Sequence, residues 1–107
     1  MTNRLTIQAL YVSALIMLGL TLAAAQNTGK ISGIILDAQT GDPLIGTNVV
    51  LLGTSLGAST DLEGTFFILN IPAGKYDLQV SMVGYEKIIQ RGVNVNSGRT
   101  TTADFKL

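Results

Sequence analysis

The residues best suited to chemistry are acids set beside short turns. Asp61 and Glu63 precede Gly64, and Asp37 and Asp42 bracket Gly41 just ahead of Pro43. Carboxylates with loop carbonyls suit calcium, but neither pair has the ligand number or spacing of a dedicated calcium loop. The competing reading is conformational. Asp61 accepts hydrogen bonds from the amides of its own turn, and Gly64 supplies a backbone conformation closed to other residues. Paired acids also serve glycoside hydrolysis when they face each other across a cleft. Acids on tight turns of a small domain have no such cleft. Ser and Thr are plentiful, yet the chain has no His to activate them as nucleophiles. No catalytic, metal-binding or cofactor-binding residue is therefore expected. Asp61, Gly64, Gly41, Pro43 and Gly74 are read as structural turn residues.

Composition narrows the function classes further. The 107 residues include no Cys, and 7 Lys and Arg balance 7 Asp and Glu. A neutral chain in which 13% of residues are charged lacks the basic footprint of a nucleic-acid binder. Lys87, Arg91 and Arg99 are spread out among acids and read as a solvated surface. Without His or Cys, zinc, haem and iron–sulfur chemistry lose their usual ligands.

The charge is unevenly placed: nothing between Leu5 and Gly29 is charged, and every charge except Arg4 lies at Lys30 or later. Arg4, the apolar run from Ala9 to Leu22 and the small residues Ala23, Ala24 and Ala25 have the layout of a secretory signal peptide. Ser13, Gly19 and Thr21 dilute a stretch already short for a membrane span. Residues 1–25 are expected to be removed, with residues 26–107 as the exported domain. With no Cys to acylate, lipid anchoring is not expected, and no disulfide reinforces the fold.

The elements that must position these turns are strands. Past Gly29, glycines interrupt the sequence so often that an ordinary helix would have to include one, at about 1 kcal/mol each. The runs between them are rich in Ile, Val, Leu, Phe and Tyr. Strands are predicted at 30–37, 47–52, 56–60, 64–69, 75–82, 85–91 and 100–107. Seven short strands bury a core by forming two sheets packed face to face. The prediction is an all-β, seven-stranded, two-sheet sandwich of Greek-key type. Both prolines fall between strands, where a missing amide donor does no harm.

Several segments resemble a known family. Gly33-Ile34-Ile35-Leu36-Asp37, Thr40-Gly41-Asp42-Pro43-Leu44-Ile45-Gly46 and Asn48-Val49 are similar to its opening strand, turn and second strand. Thr60-Asp61-Leu62-Glu63-Gly64-Thr65-Phe66 resembles its T-D-x-x-G-x-F turn. Pro72-Ala73-Gly74-Lys75-Tyr76-Asp77-Leu78-Gln79-Val80 and Val83-Gly84-Tyr85 complete the pattern. This is the carboxypeptidase regulatory-like domain, a transthyretin-like fold grouped with carbohydrate-binding-like sandwiches. The resemblance runs from about Gly29 to Leu107. It implies an accessory module, such as the one at the N-terminus of TonB-dependent outer-membrane receptors of the SusC type. The implied location is the periplasm or outer membrane of a Gram-negative cell.

Some strands are apolar on both faces. If Ile35, Val49, Leu51, Phe66 and Ile68 point inward, strand alternation sends Ile34, Leu36, Val50, Leu52, Phe67 and Leu69 outward. Were three of these strands to share one sheet, the six would form an apolar docking face anchored by Phe67; were they to lie in different sheets, or a loop or the chain's own terminus to cover them, the six would be scattered surface residues. Two readings follow. One is a non-catalytic module that binds protein, either an outer-membrane receptor or a second copy. The other is a free-standing carbohydrate-binding module, which usually presents aromatic platforms; only five aromatics follow residue 25, and none is Trp.

Overall fold

A computed structural model describes residues 27–107. The expected signal peptide and its cleavage point after Ala25 lie outside the described residues. Eight strands follow one another: β1 (Thr28–Leu36), β2 (Asn48–Leu51), β3 (Gly57–Ser59), β4 (Thr65–Pro72), β5 (Gly74–Ser81), β6 (Ile88–Val95), β7 (Thr100–Thr102) and β8 (Phe105–Lys106). They form two four-stranded sheets. The first has the order β4-β1-β7, with β8 also paired to β1; the second runs β3-β2-β5-β6. Successive strands repeatedly change sheet, which ties the two layers together.

Two elements differ from the sequence expectation. The last predicted strand divides into β7 and β8, both parallel to β1. The break falls where the Asp104 Oδ1 accepts the Ile34 N–H at 3.0 Å, so a side chain stands in for a backbone rung. The sixth begins later than predicted and reaches Val95. Residues 82–85 are spent on a turn, closed by the Tyr85 N–H donating to the Met82 carbonyl at 3.1 Å. An extra residue at Gly92 then shifts the β5–β6 register between Tyr76 and Leu78, and the Asp77 Oδ1 accepts the Gly92 N–H at 3.1 Å. Such bulges re-aim a strand without ending it.

Alternation places the core. Ile31 and Ile35 of β1 and Phe66, Ile68 and Ile71 of β4 are buried against Val49, Leu51, Leu78, Val80, Val93 and Val95 of the other sheet. Leu44 and Phe105 are buried in the same cluster. Each fully buried side chain of this size contributes roughly 1.5–3 kcal/mol. Close packing also constrains β1 itself. A Cβ on Gly33 would lie 1.8 Å from the Ala103 carbonyl oxygen, so only glycine lets the segment between β7 and β8 dock there.

Candidate interaction surface

Two of the turn acids, Asp61 and Asp37, have carboxylates occupied with backbone amides. The Asp61 Oδ1 accepts the N–H groups of Glu63 at 3.0 Å and Thr65 at 2.9 Å. The Asp61 N–H donates to the Thr65 carbonyl, and the Gly64 N–H to the Asp61 carbonyl, both at 3.0 Å. Gly64 has φ +75°, and a Cβ there would come within 2.6 Å of the Ile35 carbonyl oxygen. The turn is thus sealed by one carboxylate and by the absence of a side chain.

Asp37 organises the β1–β2 loop in the same manner. Its Oδ1 accepts the N–H groups of Gln39 at 2.8 Å and Thr40 at 3.0 Å. The Gly41 N–H donates to the Asp37 carbonyl at 2.9 Å, and Pro43 bridges to Leu36. The other carboxylate oxygen accepts the Tyr85 hydroxyl at 2.7 Å, 48 positions away. That hydrogen bond, more than either loop amide, lowers the Asp37 pKa below its usual 3.8, and it also raises Tyr85 above 10.0. Gly74 opens β5 with the Tyr76 ring packed over it, and the Tyr76 hydroxyl donates to the Pro72 carbonyl at 2.6 Å. Among the described residues no three His, Cys, Asp or Glu side chains come together in a group that could hold a metal ion.

Sequence reasoning missed two parts of this framework. The Asp37–Tyr85 link joins loops remote in sequence, and nothing local announces it. Thr47 and Thr60 are buried and bonded to each other's segments: the Thr47 N–H donates to the Thr60 hydroxyl at 2.9 Å, and the Thr60 hydroxyl donates to the Leu44 carbonyl. Thr60 opens the T-D-x-x-G-x-F segment, so a signal was present without a stated role.

The six outward apolar residues do not form one face. Ile34 and Leu36 on β1 and Phe67 and Leu69 on β4 belong to the first sheet, whereas Val50 and Leu52 belong with β2 to the second. The condition for a single docking face, three of these strands in one sheet, is therefore not met, and the six are divided between opposite sides of the sandwich. Period-two patterning tells in from out but does not assign strands to sheets. On the second sheet the row Val50, Gln79, Ile89 alternates apolar with polar. On the first, Phe67 pairs with Ser32 and Thr65 with Ile34. Phe67 is 56% exposed and Leu69 54%, against 36% for Ile34 and for Leu52. The most exposed of the six thus stand side by side on β4, at the rim of the sheet.

Two packed sheets, tight acid-capped turns and an apolar rim define a β-sandwich module. The sequence profile of the carboxypeptidase regulatory-like domain matches residues 30–107, and the chain belongs to that family. The TonB-dependent receptor SusC of Bacteroides thetaiotaomicron is 42% identical over 72 residues, covering 66% of this chain and 7% of the receptor. The chain thus corresponds to a small fraction of that relative's length. Among solved structures, a chain of a type II cohesin–X-dockerin complex from Acetivibrio cellulolyticus is similar with a TM-score of 0.63. It is 25% identical, with 72% of this chain and 52% of that one covered. A candidate carbohydrate-binding protein from Bacteroides uniformis shares the fold with a TM-score of 0.55 and 24% identity, covering 72% of this chain and 40% of the other.

Proposed function

We infer that this protein is a non-catalytic, exported β-sandwich module that works through protein contacts at the cell envelope, as an accessory of TonB-dependent nutrient receptors. The carrying observation is the contrast between its polar and apolar groups. Asp37 and Asp61 are spent on turn amides, while Phe67 and Leu69 stand exposed at a sheet rim. The likeness to SusC supplies the envelope context, and the likeness to a chain of a cohesin–X-dockerin complex fits a contact module. Sugar platforms typically stack several rings, whereas Tyr76 and Tyr85 are half-buried with their hydroxyls engaged. Phe67 alone does not make such a platform.

The test places a photo-crosslinking amino acid at position 67 in cells of the native host. Outer-membrane and periplasmic fractions are then examined by mass spectrometry. The expected result is a protein adduct in the envelope, with a TonB-dependent receptor among the adducts, and a mature chain that begins at Gln26. A chain that stays in the cytoplasm, or that yields no protein adduct, overturns the reading. Saturable heat on titration with oligosaccharides at micromolar to millimolar concentration would favour a carbohydrate-binding module instead.

A further inference from the structure

The sandwich has four sheet edges, and they are not equally protected. Sheet edges expose unpaired backbone groups, and proteins usually blunt them by shortness, charge, bulges or covering contacts. β3 has three residues, β7 three and β8 two. β6 carries Arg91, a bulge at Gly92, and the Thr101 hydroxyl donating to the Asn94 carbonyl at 2.7 Å. β4 is different. It has eight residues, none of them charged, and pairs only with β1 among the described strands.

The register shows which β4 groups face outward. The Ile35 N–H donates to the Gly64 carbonyl at 2.8 Å, so the hydrogen-bonded pairs continue at Gly33–Phe66 and Ile31–Ile68. Thr65, Phe67 and Leu69 then direct their backbone groups away from β1. Thr65 confirms this direction, because its N–H and carbonyl are both bonded to Asp61 on that side. At the far end, an extra residue at Asn70 (φ +57°) interrupts the strand before Pro72. The open window is thus Phe67 to Leu69, and these two side chains are also the most exposed of the sheet's outward apolar residues.

We propose that this window pairs with the same window of a second copy, edge to edge and antiparallel, forming a two-fold dimer with a continuous sheet. The proposal rests on the protein-contact reading and names one partner within it. A two-fold contact sets each patch against itself. A charged edge strand would then meet its own charge, whereas β4 carries none. In the register that sets Phe67 opposite Leu69 of the other copy, the outward backbone groups of both residues find partners. The same register stacks Phe67 on Leu69 twice across the axis, and aromatic–aliphatic cross-strand pairs are favourable. The Asp61-sealed Thr65 and the Asn70 bulge limit how far the pairing extends, which disfavours open-ended association.

The register can be tested by charge. Protein purified from the envelope after expression of the full chain is studied by sedimentation equilibrium, with far-ultraviolet circular dichroism to check the fold. Wild type is expected to dimerise reversibly. Phe67→Lys and Leu69→Lys should each weaken the dimer by about tenfold or more while keeping the spectrum. Phe67→Lys combined with Leu69→Glu sets opposite charges together on both sides of the axis, and should restore association. A wild type that is monomeric at several hundred micromolar would overturn the dimer, while leaving the receptor-contact reading to its own crosslinking test. A folded single variant that dimerises as tightly as wild type, or a folded double variant no tighter than the single variants, would overturn the β4 register. A monomer crosslinked at position 69 to a different envelope protein would give the edge to a foreign strand.

Discussion

Tyr85 and Asp37 are ordinary residues in sequence that become coupled only when the two sheets pack. The hydroxyl donates to a carboxylate that also holds two loop amides. Because the folded Asp37 pKa lies below its usual value, its stabilisation is present above pH 3.8 and declines as acid titrates the folded carboxyl. Tyr85 is raised, so the folded state holds the phenolic proton more tightly. That part is present below pH 10 and is lost as pH climbs through the folded value. Tyr85→Phe is expected to flatten both limbs relative to wild type. Urea midpoints measured across pH would show it, and parallel profiles for the two proteins would remove the coupling. Gly64 makes a sharper case at the same scale. Gly64→Val is expected to cost about 1–3 kcal/mol from the left-handed backbone alone. Overlap with the Ile35 carbonyl adds to that cost, since a Cβ would approach to 2.6 Å. An unchanged urea midpoint would show that the turn had relaxed to another conformation.

Within β4, neighbouring residues have opposite fates. Phe66 is 1% exposed and Phe67 56%; they differ only in which face of the pleat they occupy. Phe66→Ala should destabilise by about 3–5 kcal/mol through the cavity it leaves. Phe67→Ala should change the stability of the monomer, measured at concentrations too low for association, by no more than about 0.5 kcal/mol. Equal effects from the two, measured by denaturant unfolding, would mean that the strand's outer face is covered. This alternation is legible in the sequence because it repeats every second residue. The breaks in strands are less so. The Asn70 and Gly92 bulges and the Asp104 interruption depend on a partner strand or on a side chain reaching across it. For that reason the strand predicted at 100–107 was divided, while the one predicted at 85–91 starts late because its first residues close a turn.

At the scale of the whole molecule, local chemistry in the sequence already determined the class of architecture. Frequent glycines exclude long helices, apolar runs demand burial, and Asp61 with Gly64 specifies a turn through residues four apart or fewer. The order and spacing of those segments also carried the family resemblance, which the profile match over residues 30–107 bears out. Tertiary structure decided how strands are shared between sheets, and hence that Val50 and Leu52 lie on the opposite side from Phe67. It also decided that β4 is a long uncharged edge while the other edges are short or guarded. The physical reason is range. Patterning and turn preference act over a few residues, so a single chain segment displays them. Strand neighbours are chosen by contacts between segments tens of residues apart, and alternation is satisfied equally well in either sheet.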